Sequence, residues 1–380
     1  MIKKERNSNF ELMRIISMLL IVIGHTLSWG GITGRTSGIT TYFIYIIYAL
    51  IVVHVNSFVL LTGYYQSNSK FRIIKVINLL LLMLFYRVAF YAFCVLIGWK
   101  TFNGWYMFIF DLLPLSNFSY WFLNIYIVLY MIAPFLNKLV SSLNKENYKL
   151  LLSIMFIFCA IIPRITLNSF IDNSAGYSLI HFVFMYLVGA YLNKNYNVGG
   201  DLNRIRIKNK SIFYLSLFLV LAALKYTINF FGFRLMLYGD SEILKTIGKY
   251  LSYSFENLVY DDPLVIIQSI SYFVFFKSIN IKSKIINYIA RCVNEVYLIH
   301  MNINIRPHLY LLFGLSLNYY TYRAIPMAII ISIVIFAIGL FVYNVRKIFV
   351  NYFNRCIINN NLIKTIKDKL DVLDERINSI

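Results

Sequence analysis

Long uninterrupted runs of apolar residues divide this chain, and polar positions gather in the short segments between them. Each run has about the 20 residues that a helix needs to cross the hydrocarbon core of a bilayer. A membrane β-barrel would instead show an apolar residue at every second position. We therefore predict an all-α, polytopic membrane protein with about ten transmembrane helices. The predicted spans lie near residues 10–29, 42–63, 76–98, 119–137, 150–168, 177–193, 211–231, 263–280, 296–316 and 324–344.

Composition supports a surface that faces lipid. Hydrophobic residues make up 59% of the chain and charged residues only 14%, whereas a soluble domain carries roughly 25% charged residues. The net charge of +20 could indicate nucleic acid, but most Lys and Arg residues fall in every second connecting segment. This bias is typical of cytoplasmic loops. It predicts that both termini are cytoplasmic and that nucleic acid is not a partner.

The chain divides into a membrane domain, residues 1–344, and a tail, residues 345–380. Apolar residues of the tail recur at helical spacing, as at Ile366, Leu370 and Leu373. This spacing predicts an amphipathic helix on the inner membrane face. The first apolar run is too long for a cleaved signal and lacks a small-residue cleavage site, so we expect it to remain as a span.

The first span carries ionisable residues, which are costly within a bilayer and therefore suggest function. Arg14 and His25 are eleven residues apart, close to three helical turns, and so share one face about 16 Å apart along the axis. An arginine can hold a phosphate, a histidine can act as general base, and Glu11 can pair with Arg14. Two structural alternatives stay open: His25 bonds a neighbouring helix, and Arg14 reaches the interface.

Two further groups are candidates. His300 is a second histidine within an apolar run, with Glu295 five residues before it as a residue that could orient it. Lys70, Arg72 and Lys75 form a basic turn after the second span. This turn is either an orientation signal or a clamp for the phosphates of a cytoplasmic donor.

Metal chemistry is not expected. The five histidines contain no pair at the spacing of a helical metal site, and the four cysteines are scattered. We predict neither a metal site nor a disulfide framework.

Five segments follow one another over about 300 residues: FELMRIISMLLIVIGH at 10–25, VNSFVLLTGYYQ at 55–66, the basic pair Arg72 and Lys75, YWFLNIYIVLYMIAP at 120–134, and VYLIH at 296–300. Together and in this order, they resemble segments of the type 3 integral-membrane acyltransferases. Thr62 stands where the family has serine, and Lys75 stands where it has a second arginine.

The resemblance implies acetyl-CoA as donor and a carbohydrate hydroxyl as acceptor. By position, His25 would be essential for transfer, Arg14 its partner near the donor, and Arg72 and Lys75 would hold the CoA phosphates. We therefore expect a membrane O-acetyltransferase that modifies a cell-surface or lipid-linked carbohydrate such as a capsule, an exopolysaccharide or a wall polymer. The acceptor, membrane lipid and other polysaccharide-assembly proteins are the expected partners. The use of Ile, Asn and Lys is typical of an AT-rich bacterial genome, so we expect the plasma membrane of a bacterium.

The alternative is a flippase or exporter of lipid-linked saccharides, which would also have many spans. It would not need a histidine aligned with an arginine on the first span, and it would not bind CoA. Direct transfer and an acyl-histidine intermediate both remain open, as do the acceptor, the length of the acyl chain and the buried partner of Arg87.

Overall fold

The apolar runs of the sequence form helices. The computed structural model describes residues 6–33, 39–102, 104–113, 118–165, 174–196, 209–256, 258–312, 323–357 and 361–379. Every regular element within these ranges is a helix, and none is a strand. The predicted all-α class is confirmed.

The α-helices follow one another along the chain with short 3-10 or π segments between some of them. They are α1 (Ser8–Trp29), α2 (Ile39–Ile51), α3 (His54–Gln66), α4 (Ile73–Leu96), α5 (Trp105–Leu112), α6 (Trp121–Ser142), α7 (Lys145–Phe156), α8 (Ile162–Ile165), α9 (Leu179–Lys194), α10 (Lys210–Tyr238), α11 (Glu242–Glu256), α12 (Pro263–Ser278), α13 (Lys284–Ile289), α14 (Val293–His300), α15 (Arg306–Leu312), α16 (Ala324–Ile357) and α17 (Asn361–Asn378).

Within the described residues, seven helical segments are long and apolar enough to cross a membrane. They are Ser8–Trp29, Thr40–Gln66, Ile73–Leu96, Trp121–Ser142, Lys145–Arg164, Lys210–Tyr238 and Ala324–Tyr352. Two shorter apolar helices, α9 and α12, lie where the sequence predicts two more spans. A multi-pass membrane protein is therefore supported, whereas the count of ten and the cytoplasmic placement of the termini stay predictions.

The predicted span at 296–316 is not one continuous helix. Helix α14 ends at His300 and α15 begins at Arg306. The Asn302 side chain accepts a hydrogen bond from the Asn304 backbone N–H at 3.0 Å, a local turn that competes with the helix. Pro307 then fits the first turn of α15, where a missing N–H costs nothing.

Helix α1 lies against much of the fold. Its N-cap is Asn7, whose side chain accepts from the Asn9 backbone N–H at 3.1 Å. The helix contacts α3, α12, α14 and α16 and buries Met18, Val22 and Leu27 among them. Residues of the first span are therefore held from several sides.

Helices α3 and α9 cross at two glycines. A Cβ at Gly63 would lie 2.0 Å from the carbonyl oxygen of Tyr186, and one at Gly189 would lie 2.2 Å from that of Leu60. The two backbones can approach this closely only because both side chains are hydrogen atoms, as is common between membrane helices. The glycine of the TGY segment is thus required for packing.

Buried ion pairs tie the segment before α12 to other helices. Asp261 pairs with Arg164 on α8, and Asp262 pairs with Lys225 on α10. Asp262 also caps α12, because its other oxygen accepts from the Leu264 N–H at 2.9 Å. Lys225, a cation within a predicted span, is thereby neutralised.

The tail is helical beyond the predicted boundary. Helix α16 continues without a break across residues 344 and 345, and α17 follows it. Helix α17 packs against the start of α4. The division at residue 344 stays a prediction, and the tail has a specific contact with the membrane domain.

Candidate active site

Two histidines meet near the end of α1. The His25 Nδ1 atom lies 3.1 Å from the Nε2 atom of His300, which is 275 residues later in the chain. The two ring centroids are 5.2 Å apart. His300 is fully buried and His25 is partly buried. The structure therefore brings together the candidate general base and the second-site histidine of the sequence analysis.

The hydrogen-bond partners of the two histidines determine which ring nitrogen of each carries the proton. His300 Nδ1 lies 2.6 Å from the Val296 carbonyl oxygen, which can only accept, so Nδ1 is the donor. In a neutral His300 the other nitrogen, Nε2, then carries a lone pair and accepts from His25 Nδ1–H. A neutral His25 consequently has its own lone pair on Nε2. Hydrogen bonding thus fixes which nitrogen of His25 is basic.

Glu295 does not orient His300, the role that the sequence analysis considered for it. Its Oε1 accepts from Arg346 Nη2 at 2.7 Å, and the Glu295 side chain is 3% exposed. The ring nitrogens of His300 bond Val296 and His25 instead. Five residues along a helix do not bring two side chains onto one face, and Val296, four residues before His300, supplies the contact.

Aromatic residues surround His25. The Trp29 indole stacks on the imidazole with centroids 4.2 Å apart, and it is 37% exposed. The Arg306 guanidinium lies 4.5 Å from the centroid of the Trp29 ring. A small cavity of about 50 Å³ is lined by His25 together with His54 and Tyr260. His25 is therefore positioned by stacking as well as by its hydrogen bond.

A larger cavity of about 900 Å³ opens beside the first half of α1. Arg14 lines it and pairs with Glu11 at 2.9 Å, and Arg6 contacts the other Glu11 oxygen at 3.3 Å. Lys75 and Tyr130 also line it, with the Lys75 ammonium 5.6 Å from the Tyr130 ring centroid. Cationic side chains (Arg14 and Lys75) and the aromatic ring of Tyr130 thus line the same cavity.

The two cavities adjoin. Phe58, Phe122, Leu123 and Asn294 line both of them. Arg14 faces the larger space and His25 the smaller one, in keeping with the spacing that the sequence predicts along α1. Three of the four residues between the basic cavity and the cavity at His25 are therefore apolar.

The structure separates Arg72 from Lys75. Both residues are exposed, but Lys75 lines the large cavity and Arg72 does not. The Arg72 backbone N–H donates to the Tyr130 hydroxyl at 3.1 Å. Only one member of the predicted basic pair therefore faces the cavity.

Arg87, whose partner the sequence left open, bonds a backbone atom. Its Nη1 donates to the Asp111 carbonyl oxygen at 2.7 Å, and its guanidinium lies 5.0 Å from the centroid of the Tyr120 ring. The Asp111 carboxylate pairs with Lys100. Arg87 thus belongs to a separate polar cluster, and it lines neither cavity.

Several site residues were missed at the level of sequence. Trp29 follows His25 by four residues, a same-face spacing that could have identified it. Tyr130, Asn294 and Arg306 carried no such signal, because their positions relative to α1 depend on tertiary packing. Aromatic residues were also too abundant to select among, with 31 Tyr and 32 Phe.

Comparison with known protein families matches most of the chain. A family model described as an acyltransferase domain matches residues 7–344. No curated protein and no solved structure matches the chain. The matched range contains the histidine pair and both cavities, except for Arg6 at the edge of the larger one.

Proposed function

Because the chain belongs to the acyltransferase 3 family, we propose that it transfers an acetyl group from cytoplasmic acetyl-CoA to a hydroxyl group of a cell-surface or lipid-linked carbohydrate. The acceptor would be a capsule, an exopolysaccharide or a wall polymer, and the site would act in the plasma membrane of a bacterium. The observation that carries this proposal is the basic Nε2 of His25, which is fixed by His300 and lies at a small cavity that adjoins a larger one lined by cations.

The large cavity suits the head of the donor. About 900 Å³ lies within the usual range of small-molecule sites. Arg14 and Lys75 supply charge for phosphate oxygens, and the guanidinium can bond two oxygens at once. Glu11 holds Arg14 at 2.9 Å and fixes its direction. Arg72, exposed and outside the lining, would contribute at the mouth by charge alone.

The region where the two cavities adjoin suits the thioester arm. The residues that line both cavities are mostly apolar and would pack against a slender chain while limiting water. The thioester would then lie beside His25, with these residues between it and Arg14. Exclusion of water favours transfer to the acceptor over hydrolysis.

The chemistry follows from the assigned protons. His25 Nε2 takes the proton of the acceptor hydroxyl as its oxygen attacks the thioester carbonyl carbon. The carbon–sulfur bond breaks, and the CoA thiolate takes that proton from the imidazolium. The hydrogen bond from His25 Nδ1 to His300 persists throughout and disperses the positive charge.

An acyl-histidine route uses the same nitrogen. Nε2 attacks the thioester carbonyl carbon, the carbon–sulfur bond breaks, and CoA leaves as the thiolate. The acceptor hydroxyl then attacks the acetyl carbon, the bond to Nε2 breaks, and Nε2 takes the hydroxyl proton and passes it to the thiolate. A brief exposure to radiolabelled acetyl-CoA without acceptor separates the two routes. Label retained on the wild-type protein, released by neutral hydroxylamine and missing from His25→Ala, would identify the intermediate. No retained label, on protein that acetylates once acceptor is added, would favour direct transfer.

Donor binding and acetylation test the proposal together. Purified protein in nanodiscs should bind acetyl-CoA in calorimetry, and cells that express it should carry O-acetyl groups on a surface glycan, seen by NMR, that cells without it lack. No binding together with an unchanged glycan would overturn the proposal.

A further inference from the structure

The last helix of the chain contacts the basic turn directly. Asn378 on α17 makes two hydrogen bonds with the backbone of Phe71: its Oδ1 accepts from the Phe71 N–H at 2.8 Å, and its Nδ2 donates to the Phe71 carbonyl at 3.0 Å. One amide side chain therefore satisfies both polar groups of a buried residue's backbone. Helix α17 lies outside the range that the family model matches.

A second contact caps α4. The first N–H groups of a helix have no partner within it, and the N-cap residue Arg72 provides no side-chain hydrogen bond. Asp374, 301 residues away, accepts from the Ile73 N–H at 2.7 Å. Its carboxylate is buried, 8% exposed, and lies at the positive end of the α4 dipole. The cap that the local sequence lacks is supplied by the tail.

The segment that α17 contacts, residues 71–73, packs against a residue of the cavity wall. Phe71 packs on Tyr130 with ring centroids 5.2 Å apart, and the Arg72 N–H donates to the Tyr130 hydroxyl. Tyr130, on α6, and Lys75, in the first turn of α4, both line the large cavity. A continuous chain of contacts thus runs from α17 through residues 71–73 to two groups of the donor site.

We propose that α17 positions the donor-binding wall, with Asp374 and Asn378 as positioning residues for CoA recognition. This inference rests on the proposed function and adds a residue set beyond the family match. Release of α17 would free residues 71–73 and uncap α4, so that Lys75 and Tyr130 would lose their fixed places. His25 and His300 lie on α1 and α14, and their hydrogen bonds and ring contacts join residues of these two helices.

The affinity for acetyl-CoA should therefore depend on α17, whereas the rate of the transfer step should not. In the 380-residue protein, we expect Asp374→Ala and Asn378→Ala each to raise the Kd and the KM for acetyl-CoA about three- to tenfold, with kcat at saturating donor unchanged. Asp374→Asn keeps an oxygen that can accept from Ile73 and should restore most of the affinity. Asp371→Asn, an exposed change on the same helix, is the matched control and should behave as wild type.

The outcomes separate this inference from the proposed function. If wild-type protein bound no acetyl-CoA, the proposed function would fail. If wild type bound it and both alanine variants bound it equally well, only the role of α17 would fail. A lower melting temperature with unchanged Kd and KM would show that the contacts are merely structural, and a parallel fall in kcat would also contradict a role confined to the donor. A raised Kd with unchanged kcat, rescued by Asp374→Asn, would support it.

Discussion

His25 and His300 lie with Nδ1 and Nε2 atoms 3.1 Å apart, and the bond from His300 Nδ1 to the Val296 carbonyl sets the direction of donation between them. A backbone carbonyl cannot change its role from acceptor to donor. The basic nitrogen of His25 is therefore determined by a helix that the first span meets only after folding.

Replacement of His300 should slow transfer without weakening donor binding. In His300→Ala the His25 Nδ1–H loses its acceptor, and a buried donor without a partner costs about 1–3 kcal/mol, equivalent to roughly ten- to hundredfold in kcat. His300→Gln can present an amide oxygen and should recover part of the rate. Steady-state kinetics check this, and an unchanged kcat in the alanine variant would exclude a positioning role.

Arg14→Gln should weaken the binding of acetyl-CoA more than it slows the transfer step. Loss of the guanidinium removes a charged hydrogen bond, worth about 1.5–3 kcal/mol, so the KM for acetyl-CoA should rise roughly tenfold or more. Lys149→Gln, an exposed change at an ion pair outside both cavities, is the control. Calorimetry with CoA gives the affinity directly, and an equal loss in both variants would show a general effect of charge.

Lys75 and Arg72 should differ although they are three residues apart. Lys75 lines the large cavity and Arg72 does not. Lys75→Gln should therefore raise the KM for acetyl-CoA several-fold more than Arg72→Gln, because only the Lys75 ammonium lies where it can contact a donor phosphate in that cavity. The reverse order would contradict the placement of the donor in this cavity.

Gly63→Ala should prevent the close approach of α3 and α9. The new Cβ would lie 2.0 Å from a backbone oxygen of Tyr186, so the helices would have to separate. We expect a marked fall in melting temperature or a loss of folded protein. In Gly24→Ala the new atom meets the end of the flexible Ile51 side chain at 2.8 Å, and the loss of stability should be smaller. Thermal unfolding in detergent compares the two.

The sequence predicted those features of the fold and the site that depend on a single helix. Apolar runs identified helices because the length of a span is set by the bilayer, and the spacing of Arg14 and His25 on α1 follows from helical geometry. The break between α14 and α15 was missed because it depends on the side chain of Asn302. The pairing of Glu295 with Arg346 and the contact of α17 with Phe71 join segments that are distant in the chain. Such contacts cannot be predicted from a local sequence pattern.

The most direct measurement is the O-acetyl content of the surface glycan, by NMR, in cells with wild-type protein or His25→Ala at matched membrane levels. His181→Gln is the control: that histidine is buried, bonds Asn56 at 2.8 Å and lines neither cavity. We expect the acetyl signal to disappear in His25→Ala and to persist in His181→Gln. An acetyl signal that persists in His25→Ala would contradict a reaction centred on His25.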